Sequence, residues 1–114
     1  MAGGTVTGEW EYVRRTENKW SHEGLTQVGD SRMACYEERG RPAAGVYDVK
    51  AGTSVGFEIS SPIRHIGPVM FYLAKVPDGQ EPDTWKPSGN VWFKIGQQGP
   101  ETGESGWTWP TVGK

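Results

Sequence analysis

Two histidines occur in the 114 residues, and their surroundings differ. His65 lies in Ser60-Ser61-Pro62-Ile63-Arg64-His65-Ile66-Gly67-Pro68, a tight loop bounded by Pro62 and by Gly67-Pro68 and followed at once by an alternating apolar run. Such a loop holds a side chain still. An imidazole fixed there could be a metal ligand, a general base or a buried hydrogen-bonding group, and spacing alone does not separate these from the structural role that most single histidines have. His22 sits in Ser21-His22-Glu23-Gly24, a polar loop in which a histidine is ordinarily solvent-exposed. Trp107 and Trp109 are two apart and share one face of an extended segment. Exposed, that pair would stack against sugar rings; buried, it would be core. Glu37 and Glu38 adjoin, but strand neighbours point to opposite faces, so they make a poor acid–base pair and read as a solvated turn. No paired-cysteine metal spacing, His-Glu-x-x-His, phosphate-binding loop or Gly-x-Ser-x-Gly elbow is present.

The elements that must carry these side chains are short. Glycine and proline are abundant, with 17 and 8 copies, and they break the chain into brief extended segments rather than helices. Val69, Phe71 and Leu73 alternate with Met70, Tyr72 and Ala74, so the run after His65 is apolar on both faces and predicts a central strand closed by the Pro77-Asp78-Gly79 turn. Val46–Val49 and Thr53–Ile59 predict a β-hairpin turning at Gly52. Trp10–Arg14 predicts a short strand or an extended segment lying on the core, Arg32–Tyr36 a second short strand, Val91–Ile95 a return to the extended pattern, Gln97–Gly106 a loop, and Trp107–Pro110 a last extended piece. Five to seven short strands with no helix longer than a turn or two give an all-β chain, a two-sheet β-sandwich forming a single domain over residues 1–114.

Composition excludes several roles. The net charge is −2, and the basic pair Arg14-Arg15 is flanked by Glu11 and Glu17, so no stripe exists to follow a phosphate backbone and nucleic acid is not an expected partner. No apolar run is long enough to span a bilayer, and Met1-Ala2-Gly3-Gly4 lacks the basic and apolar regions of a signal peptide, so no membrane role is expected. The apolar content of 34% is low, leaving six tryptophans, four tyrosines and three phenylalanines to supply a lean core. Cys35 is the single cysteine, so no internal disulfide can form.

Taken together, Trp10-x-Tyr12-Val13-Arg14, Met33-x-Cys35, Ala51–Val55, Ile63-Arg64-His65-Ile66-Gly67-Pro68-Val69-x-Phe71-Tyr72-Leu73-Ala74, Val76-Pro77-Asp78-Gly79, Val91-Trp92-Phe93-Lys94-Ile95 and Trp107-x-Trp109-Pro110-Thr111 follow one another as they do in a known family. The sequence resembles the fungal cellulose-active lytic polysaccharide monooxygenases, copper enzymes formerly classed as family sixty-one glycoside hydrolases, from about Gly4 to Lys114. The resemblance implies an immunoglobulin-like or fibronectin-III-like β-sandwich. It also implies a copper ion held by a histidine brace, in which an N-terminal histidine gives its amino group and ring and a second histidine, matched by His65, gives a ring nitrogen. Three nitrogens in a T shape leave positions open for oxygen, and imidazole suits both copper oxidation states.

The pattern departs from the family's at three places. The chain begins Met1-Ala2-Gly3-Gly4, without the N-terminal histidine; it ends at Lys114, before the family's axial tyrosine; and Cys35 matches a cysteine that the family pairs with one near its C-terminus. The expectation is therefore a truncated relative of an extracellular enzyme that oxidatively cleaves cellulose or a related β-glucan. It would be inactive alone, with His65 the remaining metal ligand, copper weakly held or absent, and exposed strand edges favouring a homo-oligomer. The alternative is a non-catalytic carbohydrate-binding or self-associating module that uses Trp107 and Trp109.

Overall fold

The computed structural model describes residues 4–18, 21, 23–40 and 44–114. Among these residues it is all-β in class, with one 3-10 turn at Ser31–Met33 and four strands: β1 (Val69–Ala74), β2 (Trp92–Gln98), β3 (Glu101–Gly103) and β4 (Gly106–Thr108). The chain divides into two compact units, residues Met1–Gly56 with Val76–Gly89 and residues Phe57–Lys75 with Asn90–Lys114.

The described residues of the first unit form turns rather than strands, because polar side chains and glycines satisfy their backbone locally. Trp10–Arg14 does not form the expected strand. The Glu11 amide donates to the Gly8 carbonyl at 3.2 Å, the Glu11 carboxylate accepts the Gly8 amide at 2.7 Å, and Trp10 sits at φ 60°, so the segment curls into a turn. Arg32–Tyr36 is likewise not a strand. Asp30 caps the Ser31–Met33 turn by accepting the Arg32 amide at 2.9 Å, and Cys35 and Tyr36 follow with φ of 102° and 50°, which extended backbone cannot accommodate. An isolated antiparallel bridge joins Thr16 to Glu37, with the Glu17 amide donating to the Tyr36 carbonyl and the Glu38 amide to the Arg15 carbonyl, both at 2.8 Å.

The hairpin expected over Val46–Ile59 is present only at its turn. Gly52 takes φ +87° and the Thr53 amide reaches the Lys50 carbonyl at 3.1 Å, but no ladder follows. The first arm is drawn elsewhere: the Gly45 amide donates to the Glu11 carbonyl at 2.8 Å, and the Tyr47 ring meets Tyr12 edge-on with centroids 5.0 Å apart. A Cβ on Gly45 would lie 3.0 Å from the Tyr12 ring and 3.3 Å from the Glu11 carbonyl oxygen. Gly45→Ala is therefore expected to tilt Tyr12 away from Tyr47 and cost about 1 kcal/mol, the scale of an aromatic pair. Urea unfolding of the two proteins measures it, and a variant as stable as the parent would show that the ring yields freely.

Asp30 and Arg32 form a fork, with Nε and Nη2 donating to both carboxylate oxygens at 2.7 to 3.2 Å. The Arg32 side chain and amide hold the Asp30 carboxyl down to about 2, from an ordinary 3.8. A carboxyl lowered on folding stabilises the fold above its unfolded value, and that contribution fades as pH falls from about 4 towards 2. Carbon-detected titration of Asp30 is expected to show a midpoint near the lower figure. A midpoint near 4 would mean that the fork does not persist in solution.

The second unit holds both sheets. β1 and β2 pair antiparallel from Val69↔Gln98 to Ala74↔Trp92. Phe71 faces Gly96 while Tyr72 faces Lys94, leaving Ile95 as the extra residue of a bulge in β2. β2 runs to Gln98, and Glu101–Thr108 folds into a β3–β4 hairpin closed by Glu104-Ser105, with Thr102 opposite Trp107. The loop expected over Gln97–Gly106 is thus largely strand, because Thr102 and Trp107 favour a pleated surface and Gly106 supplies φ +101° beside the two-residue turn. The turn at Pro77–Gln80 forms as read from the sequence, its Gln80 amide donating to the Pro77 carbonyl at 3.1 Å.

β1 differs from its expected place at the centre of a sheet. Among the described residues its one strand partner is β2, and Met70, Phe71, Tyr72 and Leu73 are all exposed. No described residue is buried, so the lean core predicted from composition is not assembled within these residues.

Candidate functional site

His65 is positioned from both sides of its loop. Upstream, Ile63 is clamped to residues 113 and 114: the Gly113 amide donates to the Ile63 carbonyl at 2.8 Å, and the Ile63 amide to the Lys114 carbonyl at 3.1 Å. That clamp rests on a turn in which the Val112 amide reaches the Trp109 carbonyl at 3.0 Å, and Gly113 takes φ +84° to present its amide. Downstream, Gly67 at φ +150° and Pro68 lead the chain into β1.

The His65 ring is exposed, and its Nδ1 lies 2.9 Å from the Ile66 carbonyl oxygen. A carbonyl only accepts, so this contact requires the proton on Nδ1 and leaves the lone pair of Nε2 directed away from the backbone. Metal-bound imidazoles commonly have this arrangement, one ring nitrogen donating to a carbonyl and the other ligating. His65 therefore fits one coordination position. Among the described residues no three His, Cys, Asp or Glu side chains gather as a metal-holding group. His22 lies outside the described residues, as does Trp20.

The two tryptophans are not equivalent. Trp107, on β4, is 71% exposed, whereas Trp109 is half-buried and begins the turn that supports the Ile63 clamp. The expected two-ring face presents one freely exposed indole.

The first unit contains a network that sequence reasoning missed. Arg14 Nη2 donates to the Pro82 carbonyl at 2.8 Å and to the Trp85 carbonyl at 2.9 Å, while Nη1 lies 3.6 Å from Glu37 Oε2. Lys86 donates to the same carboxylate oxygen. Glu37, read as part of a solvated turn, is only 19% exposed and accepts both cations. These groups line an open cleft of about 430 Å³ with Arg32 and Arg39. Arg14 ties residues 82–85 to the Thr16–Glu37 bridge and satisfies two loop carbonyls, which is a structural duty. The sequence shows Arg14-Arg15 flanked by Glu11 and Glu17, a pattern that carries no signal for the distant partners Pro82, Trp85 and Glu37. Cys35, close to this network, is a half-buried free thiol, and desolvation pushes its pKa up, away from the thiolate that nucleophilic chemistry requires.

The chain matches, over residues 1–113, the family model described as AA9: Auxiliary Activity family 9 (formerly GH61). It is 68% identical over 111 residues to AA9 family lytic polysaccharide monooxygenase C of Malbranchea cinnamomea, an alignment that covers 97% of this chain and 48% of that protein. It is 55% identical over 113 residues to AA9 family lytic polysaccharide monooxygenase H of the same organism, covering 99% and 49%. It is 44% identical to AA9 family lytic polysaccharide monooxygenase A of Thermothielavioides terrestris, covering 97% and 48%. The chain spans about half the length of these relatives.

Proposed function

Because the chain belongs to Auxiliary Activity family 9, whose members are copper-dependent β-sandwich enzymes, we propose that it supplies one imidazole, His65, to the copper site of a secreted polysaccharide monooxygenase. The parent activity is oxidative cleavage of cellulose or a related β-glucan, and the 114 residues alone do not carry it out. The observation behind this reading is the Nδ1 contact of His65 with the Ile66 carbonyl, which leaves Nε2 as an accessible donor atom. Copper, when bound, supplies the one-electron chemistry of the reaction. His65 supplies a neutral nitrogen to it, and the Ile63 clamp keeps the loop in place. With one imidazole, most of the coordination is left to water, and the geometry that sets the redox behaviour of the metal is not imposed.

The experiment is reductant-driven oxidation of cellulose by the copper-loaded chain, with soluble products separated by mass. No oxidised oligosaccharide is expected. Their appearance, from protein free of any longer relative, would sink the proposal that the chain is inactive alone.

A second reading, a module that binds polysaccharide without cutting it, is favoured by the 71% exposure of Trp107. An indole this open on a short hairpin offers a flat face to a pyranose ring, whose axial hydrogens meet the negative face of the π system. Trp107→Ala is expected to reduce retention on insoluble β-glucan several-fold, with Trp109→Ala, half-buried, the weaker change. Equal retention of parent and both variants would remove this reading.

A further inference from the structure

Gly113 stands at the far end of a run of contacts that reaches the His65 ring, all of it within the second unit. The β3–β4 hairpin ends at Thr108 and the chain turns at once, with the Val112 amide on the Trp109 carbonyl and Trp109, Pro110 and Thr111 half-buried. From φ +84° the Gly113 amide reaches the Ile63 carbonyl at 2.8 Å, while the Lys114 carbonyl accepts the Ile63 amide at 3.1 Å. Both backbone polar groups of Ile63 are thus engaged. At the other end of the loop Val69 enters the β1–β2 ladder opposite Gln98. Residues 64–68 are therefore held between two fixed points, and the backbone that brings the Ile66 carbonyl to 2.9 Å from His65 Nδ1 lies between them.

The requirement for glycine at residue 113 is conformational and not one of room. A Cβ there would meet nothing within 4 Å, whereas φ +84° is backbone that a residue with a Cβ adopts at a cost. The amide points at Ile63 because of that backbone.

Given His65 as a metal ligand, the reading proposed above on which this rests, we propose that Gly113 is a positioning residue for it. Through Ile63 it holds the His65-Ile66 backbone in the form that keeps the ring proton on Nδ1 and the Nε2 lone pair open. With the clamp open the loop has one fixed end, and the ring is free to carry its proton on Nε2, which blocks that nitrogen as a donor atom. A ligand that binds one of two conformations better shifts the population towards it, and the coupling is reciprocal: what the closed clamp adds to metal affinity, the metal adds to closure of the clamp.

Amide exchange and the nitrogen-15 shifts of the His65 ring test this on the 114-residue chain, with zinc ion alone as the metal. Saturating zinc is expected to slow exchange of the Ile63 amide at least about 5-fold in the parent and to leave it unchanged in His65→Ala. Gly113→Ala is expected to speed that exchange about 5- to 30-fold without metal, the factor by which left-handed backbone disfavours a residue with a Cβ. Gly113→Asn, whose side chain tolerates this backbone, should recover most of the protection. In mildly alkaline buffer without metal, the ring shifts should report the proton on Nδ1 in the parent and in Gly113→Asn, and should move towards the Nε2–H form in Gly113→Ala. Parent-like exchange in the β1–β2 ladder marks the variants as folded, and the zinc comparison on the parent needs no variant of Gly113 at all. Three results overturn the role of Gly113: zinc bound at Nε2 without slower exchange at Ile63, slowing that persists in His65→Ala, or parent ring shifts in a Gly113→Ala chain whose clamp has opened. The first and third leave His65 standing as a ligand. Zinc that leaves the His65 ring shifts unchanged overturns the proposed function and this coupling with it.

Discussion

Arg14→Ala is expected to loosen the first unit by about 2–4 kcal/mol, since hydrogen bonds to a charged group contribute roughly 1.5–3 kcal/mol each. The guanidinium holds two loop carbonyls, those of Pro82 and Trp85, and faces Glu37 at 3.6 Å. Alanine removes all three contacts. Two terms limit the loss: Lys86 stays on Glu37, so no carboxylate is left without a cation, and the Arg14 side chain is 20% exposed, so water screens part of the ion pair. The readout is amide exchange at Glu17 and Glu38, whose amides form the bridge beside this network. Their opening should become about 30- to 1000-fold more frequent. Arg14→Lys separates charge from geometry. An ammonium keeps the attraction to Glu37 but cannot reproduce the guanidinium fork, so less than half of the loss should be recovered. If alanine changed exchange by less than threefold, the network would not be what holds residues 82–85 in place.

What the sequence made legible follows the strength of its local signals. β1 was visible because six consecutive apolar residues lie between the turn signals Gly67-Pro68 and Pro77-Asp78-Gly79. The turns at Gly52 and Pro77–Gln80 were visible for a similar reason, since each depends on residue types at fixed positions. Trp10–Arg14 has strand-like alternation and Arg32–Tyr36 is a short largely apolar run, but side chains two or three residues away decide their conformation: the Glu11 carboxylate binds the Gly8 amide, and Asp30 caps the turn at Ser31. Periodicity does not detect such contacts. The Arg14 network was hidden for another reason. It joins residue 14 to residues 82 and 85, and charge interleaved along a chain does not say which pairs will meet.

The candidate site divides in the same way. A rigid loop around His65 could be read from Pro62 and Gly67-Pro68, and the family could be read from its motifs, but the state of the ring could not. Whether Nδ1 or Nε2 is the accessible atom depends on the Ile66 carbonyl, and the position of the loop depends on Gly113 and Lys114, some fifty residues downstream. Trp107 and Trp109 have equal standing in the sequence and unequal standing in the fold, because the turn beginning at Trp109 is recruited to clamp Ile63.

His65→Ala is expected to cost the chain at least about 100-fold in Cu(II) affinity, since removing even an outer partner of a metal-bound histidine commonly costs 10- to 100-fold and here the ligand itself is lost. Two competing groups must be controlled. His22 is the other imidazole, and His22→Ala should leave affinity and spectrum unchanged. Cys35 is a half-buried thiol that Cu(II) could oxidise, so the series is best made on Cys35→Ser. Electron paramagnetic resonance of the parent should show coupling to the remote nitrogen of one imidazole, lost in His65→Ala and retained in His22→Ala. The tautomer adds a finer expectation. With Nδ1 engaged by the Ile66 carbonyl, copper binds through Nε2, and the Nδ1 proton remains on the ring as the remote, non-ligating N–H. Nitrogen-15 shifts of the His65 ring, measured with diamagnetic zinc in place of copper, report which nitrogen carries the metal. Ligation through Nδ1 would mean that the Ile66 contact breaks on binding, and unchanged affinity in His65→Ala would remove this residue from the metal site altogether.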